Sequence, residues 1–306
     1  MKKPAKRISD LVSPRQQRNW DWRAAANFIA GGAGGGLLLF NALVSVDPDV
    51  IAAALLLGLM LIGGGLTCVW FEIGRPWRAL NVYRHFGTSW MTREAVAALV
   101  LFPLGAMALV TLQPAFVLMT GILGLVFLYS QARILAANKG IPTWRHPRSA
   151  ALMIATGLAE GGGFLACVVS LSPLPIGPVA LVFLIVLIAV RAWFWRRYLA
   201  GLLADGAPEG ALQVLTGFAP RFALLGHVVP AVFVVSALAG VPGRAGLVFA
   251  AGLMMVAAGW VLKYTLIRRA AFNQGLALLH LPVRGGGPAG PAVKPGWKSV
   301  AGAEVA

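Results

Sequence analysis

Between Glu72 and Glu94 the chain reads EIGRPWRALNVYRHFGTSWMTRE, a run with two carboxylates, four arginines, a histidine and tryptophan. Glu72 and Glu94 can exchange protons. Arg78, with Arg75 close by, can donate hydrogen bonds and stabilise a developing oxyanion, and Trp90 with Tyr83 can wall a flat ring. Such a set suits a reaction that moves protons together with electrons at the ring oxygens of a planar molecule. It would need a proton-exchanging group near each oxygen, a donor that polarises the carbonyl and an apolar slot for a tail. Two plainer readings stand beside it: an Arg78–Glu94 ion pair that only pins the segment, and arginines that hold lipid head groups.

The flanking elements must place these groups. Gly74-Arg75-Pro76 ends the preceding helix, because proline has no N–H and biases the residue before it away from helical geometry. Thr92 is placed to cap the next helix, with Glu94 in its first turn, where the helix dipole favours a carboxylate. Residues 72–94 then form a polar shelf between two apolar runs, each long enough to cross a bilayer.

Composition sets the class. The 306 residues are 58% hydrophobic and only 12% charged, with mean hydropathy +0.78, against about 25% charged in soluble proteins. The expected fold is all-α, an integral membrane bundle of eight transmembrane helices with both termini on the same side. Spans are predicted at about 24–46, 50–71, 95–112, 115–135, 149–171, 179–198, 222–240 and 246–267, matched to a hydrocarbon core of about 30 Å. Residues 1–23 read as a basic cytoplasmic arm, 24–267 as the membrane domain with its shelf, and 268–306 as a flexible tail rich in Gly-Pro pairs. The apolar run after the arm has no convincing cleavage site, so it is expected to be retained.

The formal net charge of +16 lies in short blocks between apolar runs, without the extended basic and aromatic stripe that nucleic acid would call for. Of the 26 lysines and arginines, all but Arg244 lie in or adjoin the termini and the loops after spans two, four and six. By the positive-inside rule the termini, the shelf and the loop from Lys139 to Arg148 are cytoplasmic; the expected location is a bacterial or archaeal cytoplasmic membrane.

Within the spans, the glycine patches Gly31 to Gly36, Gly63 to Gly65 and Gly161 to Gly163 fit no phosphate-binding register and read as close helix packing. The sixth span is expected to end in the aromatic and basic cluster Arg191, Trp193, Trp195, Arg196 and Arg197. Glu160 lies deep in the fifth span, so it should be protonated, paired or beside a water-filled path. Helix-to-helix hydrogen bonding and a proton path are equally compatible with it. Cys68 and Cys167 lack ligand spacing and read as core residues, so no metal site is expected. Of His85, His146, His227 and His280, only His227 lies within or at the edge of a span, so no pair of histidine ligands spans the membrane for haem; methionine ligation stays open by counting.

The shelf motif resembles a known family. An acidic or histidine residue followed by Ile/Leu-Gly-x-Pro, the arginine six residues after the first, and Ser-x-x-x-Arg-Glu opening the third helix are similar to the dimethyl sulfoxide reductase anchor subunits. These belong with the polysulfide and nitrite reductase membrane subunits of complex iron–sulfur molybdoenzymes. The resemblance extends over most of residues 20–280, with Tyr129-Ser130-Gln131-Ala132-Arg133 and Lys263-Tyr264-Thr265 adding to it, and looks nearest to the phenylacetyl-CoA:acceptor oxidoreductase type.

The resemblance implies a subunit that binds quinone, menaquinone or ubiquinone, and holds no metal or haem of its own. It would exchange electrons with a four-cluster iron–sulfur subunit that serves a molybdopterin catalytic subunit. On it, Arg78 and Glu94 match the family's quinol-site arginine and glutamate, while Glu72 stands where those anchors carry histidine. A carboxylate there changes the charge of the proton acceptor. The alternative from a different class is a proton-coupled secondary transporter with a path past Glu160 and Glu72, although no repeat of four spans is evident.

Overall fold

The computed structural model describes residues 13–73 and 76–275, with backbone alone for residues 76–79. Among these residues are eight helices long and apolar enough to cross a membrane: α1 Trp22–Val44, α2 Pro48–Glu72, α3 Trp90–Thr111, α4 Pro114–Ala136, α5 Ser149–Ser170, α6 Pro178–Ala204, α7 Glu209–Leu238 and α8 Arg244–Arg269. The only extended pairing among the described residues is an isolated bridge between Gln16 and Phe272. Prolines open α2, α4 and α6, where a missing N–H costs nothing because the first turn has no acceptor for it.

Several boundaries differ from the sequence expectation, each for a local reason. Ser89, rather than Thr92, caps α3 by accepting from the Thr92 N–H, while the Thr92 hydroxyl donates to the Val82 carbonyl. Helix α3 therefore begins at Trp90, and Glu94 falls in its second turn. The chain before it, Pro76–His85, winds as a 3-10 helix. Helix α6 runs on to Ala204, well past the basic cluster expected to end it.

Helix α7 begins at Glu209 and passes through Pro220 into a π-helical stretch, Leu224–Val228. Pro230 has no N–H for the Gly226 carbonyl four residues back, and a π turn absorbs that loss. Helix α8 also ends in a π turn, Thr265–Arg269. Beyond it the Ala271 carbonyl accepts from the Gln17 N–H at 2.8 Å, and the Asn273 N–H donates to the Arg15 carbonyl at 2.8 Å. Residues 15–17 and 271–273 thus lie side by side.

Helix α1 is the hub, packed upon by α2, α4, α5 and α8. Helix association in a bilayer rests on close packing and interhelical hydrogen bonds, since lipid tails are as apolar as leucine. The glycine patches supply the closeness. A Cβ on Gly34 would lie 2.7 Å from the Gly58 carbonyl oxygen, and one on Gly35 would lie 2.5 Å from that of Gly124. Gly36 and Gly161 bring the α1 and α5 backbones into direct contact. Gly64 is different: it faces open space and carries no packing role. Gly36→Val is therefore expected to cost at least about 1–3 kcal/mol, read as a lowered unfolding temperature of the purified protein in detergent. Gly64→Val in the same assay should change little.

Candidate functional site

Tracing the shelf residues upward, Glu72 closes α2 at the membrane boundary, half-buried. It is within electrostatic reach of Asp21, Arg23 and Arg268. Asp21 caps α1 and pairs with Arg23 at 2.8 Å, and this hydrogen-bonded guanidinium holds the Asp21 carboxyl below the usual carboxylate range. Arg75 lies outside the described residues, as does the side chain of Arg78. Tyr83 sits on the 3-10 helix, 39% exposed.

Glu94 has turned inward and is only 6% exposed. Its Oε1 accepts from Asn27 Nδ2 at 3.2 Å, and Gln131 Nε2 donates to the Asn27 carbonyl at 2.9 Å. Asn27 lies one turn after Arg23 on α1, a spacing that puts both on one face. A single helix face therefore reaches toward Glu72 at the boundary and holds Glu94 inside the bundle.

An apolar groove of about 360 Å³ opens between α3 and α4, lined by Arg93 and Ala97 on either side of Glu94 in the chain but not by Glu94 itself. Its walls include Val96, Val100, Leu123 and Val126, and one end carries Phe86, Trp90, Arg93 and Tyr129. The Trp90 and Tyr129 rings meet edge to face with centroids 5.5 Å apart. The guanidinium carbons of Arg93 and Arg133 stand 4.2 Å and 5.0 Å from the Trp90 ring centroid. Arg93 is held in place by the Phe86 and Gly87 carbonyls at 3.1 Å and 2.8 Å.

This end thus offers aromatic walls and cationic donors, with a carboxylate on the same turn of α3 behind it. The shape suits an amphiphile with a flat polar head and an apolar tail. Tyr129, from α4, is the aromatic partner that sequence alone did not assign. Its signal was the run of polar and aromatic residues Tyr129 to Arg133 at the shelf end of the fourth span.

Glu160 is farther in. It forms an ion pair of 2.5 Å with Lys263, and neither side chain is exposed. Lys263 Nζ also donates to the Ile29 carbonyl at 3.4 Å. Arg191, expected in the boundary cluster, is fully buried. It donates to the Met255 carbonyl at 2.7 Å and to Gly226, the carbonyl that Pro230 leaves free. Phe222 stacks beneath this guanidinium and accepts, through its carbonyl, a contact from His227 Nδ1 at 3.1 Å.

In the loop before α5, His146 is buried beside Asp205 at 3.5 Å, and burial holds its imidazole below the usual histidine range. No three of His, Cys, Asp and Glu gather in a metal-binding arrangement among the described residues.

Among known families, the one described as DMSO reductase anchor subunit (DmsC) matches residues 28–219. That span takes in Glu72, Glu94, the groove and Glu160, and stops before Lys263. No curated protein matches the chain.

Proposed function

From the premise that this chain belongs to the DMSO reductase anchor subunit family, we propose that it is the quinone-reactive membrane subunit of a molybdopterin and iron–sulfur oxidoreductase. The observation that carries this reading is the groove between α3 and α4, closed at its polar end by Trp90, Tyr129 and Arg93, with Glu94 on the same turn. Quinone reduction and quinol oxidation alike move two electrons and two protons, and in the quinol-oxidising direction the chain's own residues take up the protons. Glu94 accepts one of them. Arg93 and Arg78 are donors for a ring oxygen as charge grows on it, and the valines of the groove hold the isoprenoid tail. Glu72 is the second proton-exchanging group, at the water boundary, and Arg75, three residues on in the chain, is a further donor. Menaquinone and ubiquinone both match this chemistry. Electrons are exchanged with a four-cluster iron–sulfur subunit and through it with a molybdopterin catalytic subunit, whose metals serve the reaction. Family membership favours this over a proton-coupled transporter.

Photoaffinity labelling with an azidoquinone tests it. The label is expected on residues 86–100 or 123–130, and Trp90→Leu should raise the KM for decylubiquinol about tenfold through loss of a stacking wall worth roughly 1.5 kcal/mol. Labelling elsewhere, with an unchanged KM, would move the site off this groove.

Sidedness follows from the charges. The basic arm of residues 1–23, the loop from Lys139 to Arg148 and the residues after Arg268 frame a docking face for an acidic partner on the cytoplasmic side. A cytoplasmic substrate such as an acyl-CoA fits that arrangement. Reporter fusions after Ala306, with protease treatment of spheroplasts, should find the C-terminus protected, and external cleavage would reverse the topology.

A further inference from the structure

We propose that Glu94, Asn27, Gln131, Lys263 and Glu160 form a hydrated proton track along α1, leading from the groove to the Glu160–Lys263 pair as an inner proton-exchanging station. The proposal rests on the reading of Glu94 as the group beside the quinone.

Four different helices bring polar heads to one short stretch of α1. Glu94 comes from α3 onto Asn27, Gln131 comes from α4 onto the Asn27 carbonyl, and Lys263 comes from α8 onto the Ile29 carbonyl, with Glu160 of α5 attached to it. The α1 surface is cut away to seat them. A Cβ on Gly31 would lie 2.5 Å from Gln131 Nε2, and one on the neighbouring Gly32 would lie 2.5 Å from Lys263 Nζ. Gly31 and Gly32 therefore make room for polar side chains as well as for neighbouring helices, whereas Gly34 to Gly36 face helix backbones.

The track also has unused hydrogen-bonding capacity. Asn27 Oδ1, Gln131 Oε1 and Glu160 Oε1 have no protein partner, although these residues are 4%, 1% and 0% exposed. Unpaired acceptors are costly at membrane depth, and buried water is the usual donor where several polar atoms converge. An amide does not carry a proton readily, whereas water between amides does.

Charge gives the track its use. With Glu94 and Glu160 ionised and Lys263 and Arg191 protonated, the four formal charges sum to zero, and Arg191 interacts electrostatically with Glu160. A proton held at Glu94 upsets that balance next to the groove. Passing it inward moves the excess charge away from the site. In the step, a quinol O–H breaks and its proton goes to Glu94. Glu94 gives a proton to the water at its end, and water at the far end gives one to Glu160 Oε1, the oxygen Lys263 does not hold. The proton of the second O–H leaves through Glu72, and the two electrons leave for the iron–sulfur partner.

The test uses the whole complex in proteoliposomes, reduced with decylubiquinol or menadiol. Redox-triggered infrared difference spectra in water and in heavy water should contain two carboxyl bands, one absent in Glu94→Gln and the other absent in the double variant Glu160→Met/Lys263→Met. The double variant should assemble and react with a soluble dye while its quinol-coupled turnover falls at least about tenfold. If it keeps wild-type turnover and spectrum while Glu94→Gln is blocked, the track is wrong and the quinone site stands. If Glu94→Gln is also unaffected, both fall. Should the double variant fail to assemble, Gln131→Leu, outside the ion pair, is read by the same two measurements; a tenfold loss supports the track and no loss overturns it.

Discussion

Glu94→Gln is expected to lower quinol-coupled turnover by about a hundredfold to ten-thousandfold, the range lost when a positioned acid–base group is removed. The complex should still assemble and still exchange electrons with a soluble dye through its iron–sulfur partner. The reason lies in what the amide keeps. Glutamine has the shape of glutamate and can still accept from Asn27 Nδ2 through its oxygen, as Glu94 Oε1 does at 3.2 Å, so the junction of α1, α3 and α4 is retained. Only the exchangeable proton is gone. Steady-state rates with decylubiquinol and with dye, taken on the same preparation, separate the two effects. Loss of both rates would make Glu94 a structural residue, and loss of neither would remove it from the site.

The second large effect is on stability. Lys263→Met should destabilise the protein by about 3–5 kcal/mol, because it leaves the Glu160 carboxylate buried without its partner. Glu160→Met alone should cost a similar amount by stranding the ammonium. The double variant should recover most of the loss, since two apolar side chains of comparable length can replace a buried pair at little net cost. Unfolding of the purified protein in detergent, followed for the two singles and the double, provides the cycle. Simple additivity of the two losses would mean that the pair is not an interacting unit. Lys263 is outside the segment that matches the family, residues 28–219, so the pair joins a matched helix to an unmatched one.

The membrane class and the eight helices were legible in the sequence because crossing a bilayer is a requirement on local averages: about twenty apolar residues in a row, whatever they later touch. The basic loops were legible for the same reason. Helix starts were less so. Ser89 and Thr92 are both good caps, and only the position of the Val82 carbonyl, which takes the Thr92 hydroxyl, leaves the capping role to Ser89.

Pairings across the bundle were decided by tertiary structure alone. Lys263 and Arg191 were counted among boundary charges, since one cation near the end of an apolar run does not reveal which way it faces. Rotation of α8 sets Lys263 against Glu160, 103 residues away, and Pro230 on α7 frees the carbonyl that holds Arg191. In the same way Tyr83, close to Trp90 in sequence, does not line the groove, whereas Tyr129 does. A window of composition records how apolar a helix is. Its rotation and register against its neighbours follow from glycine-to-backbone contacts such as Gly36 with Gly161, which depend on all the helices at once.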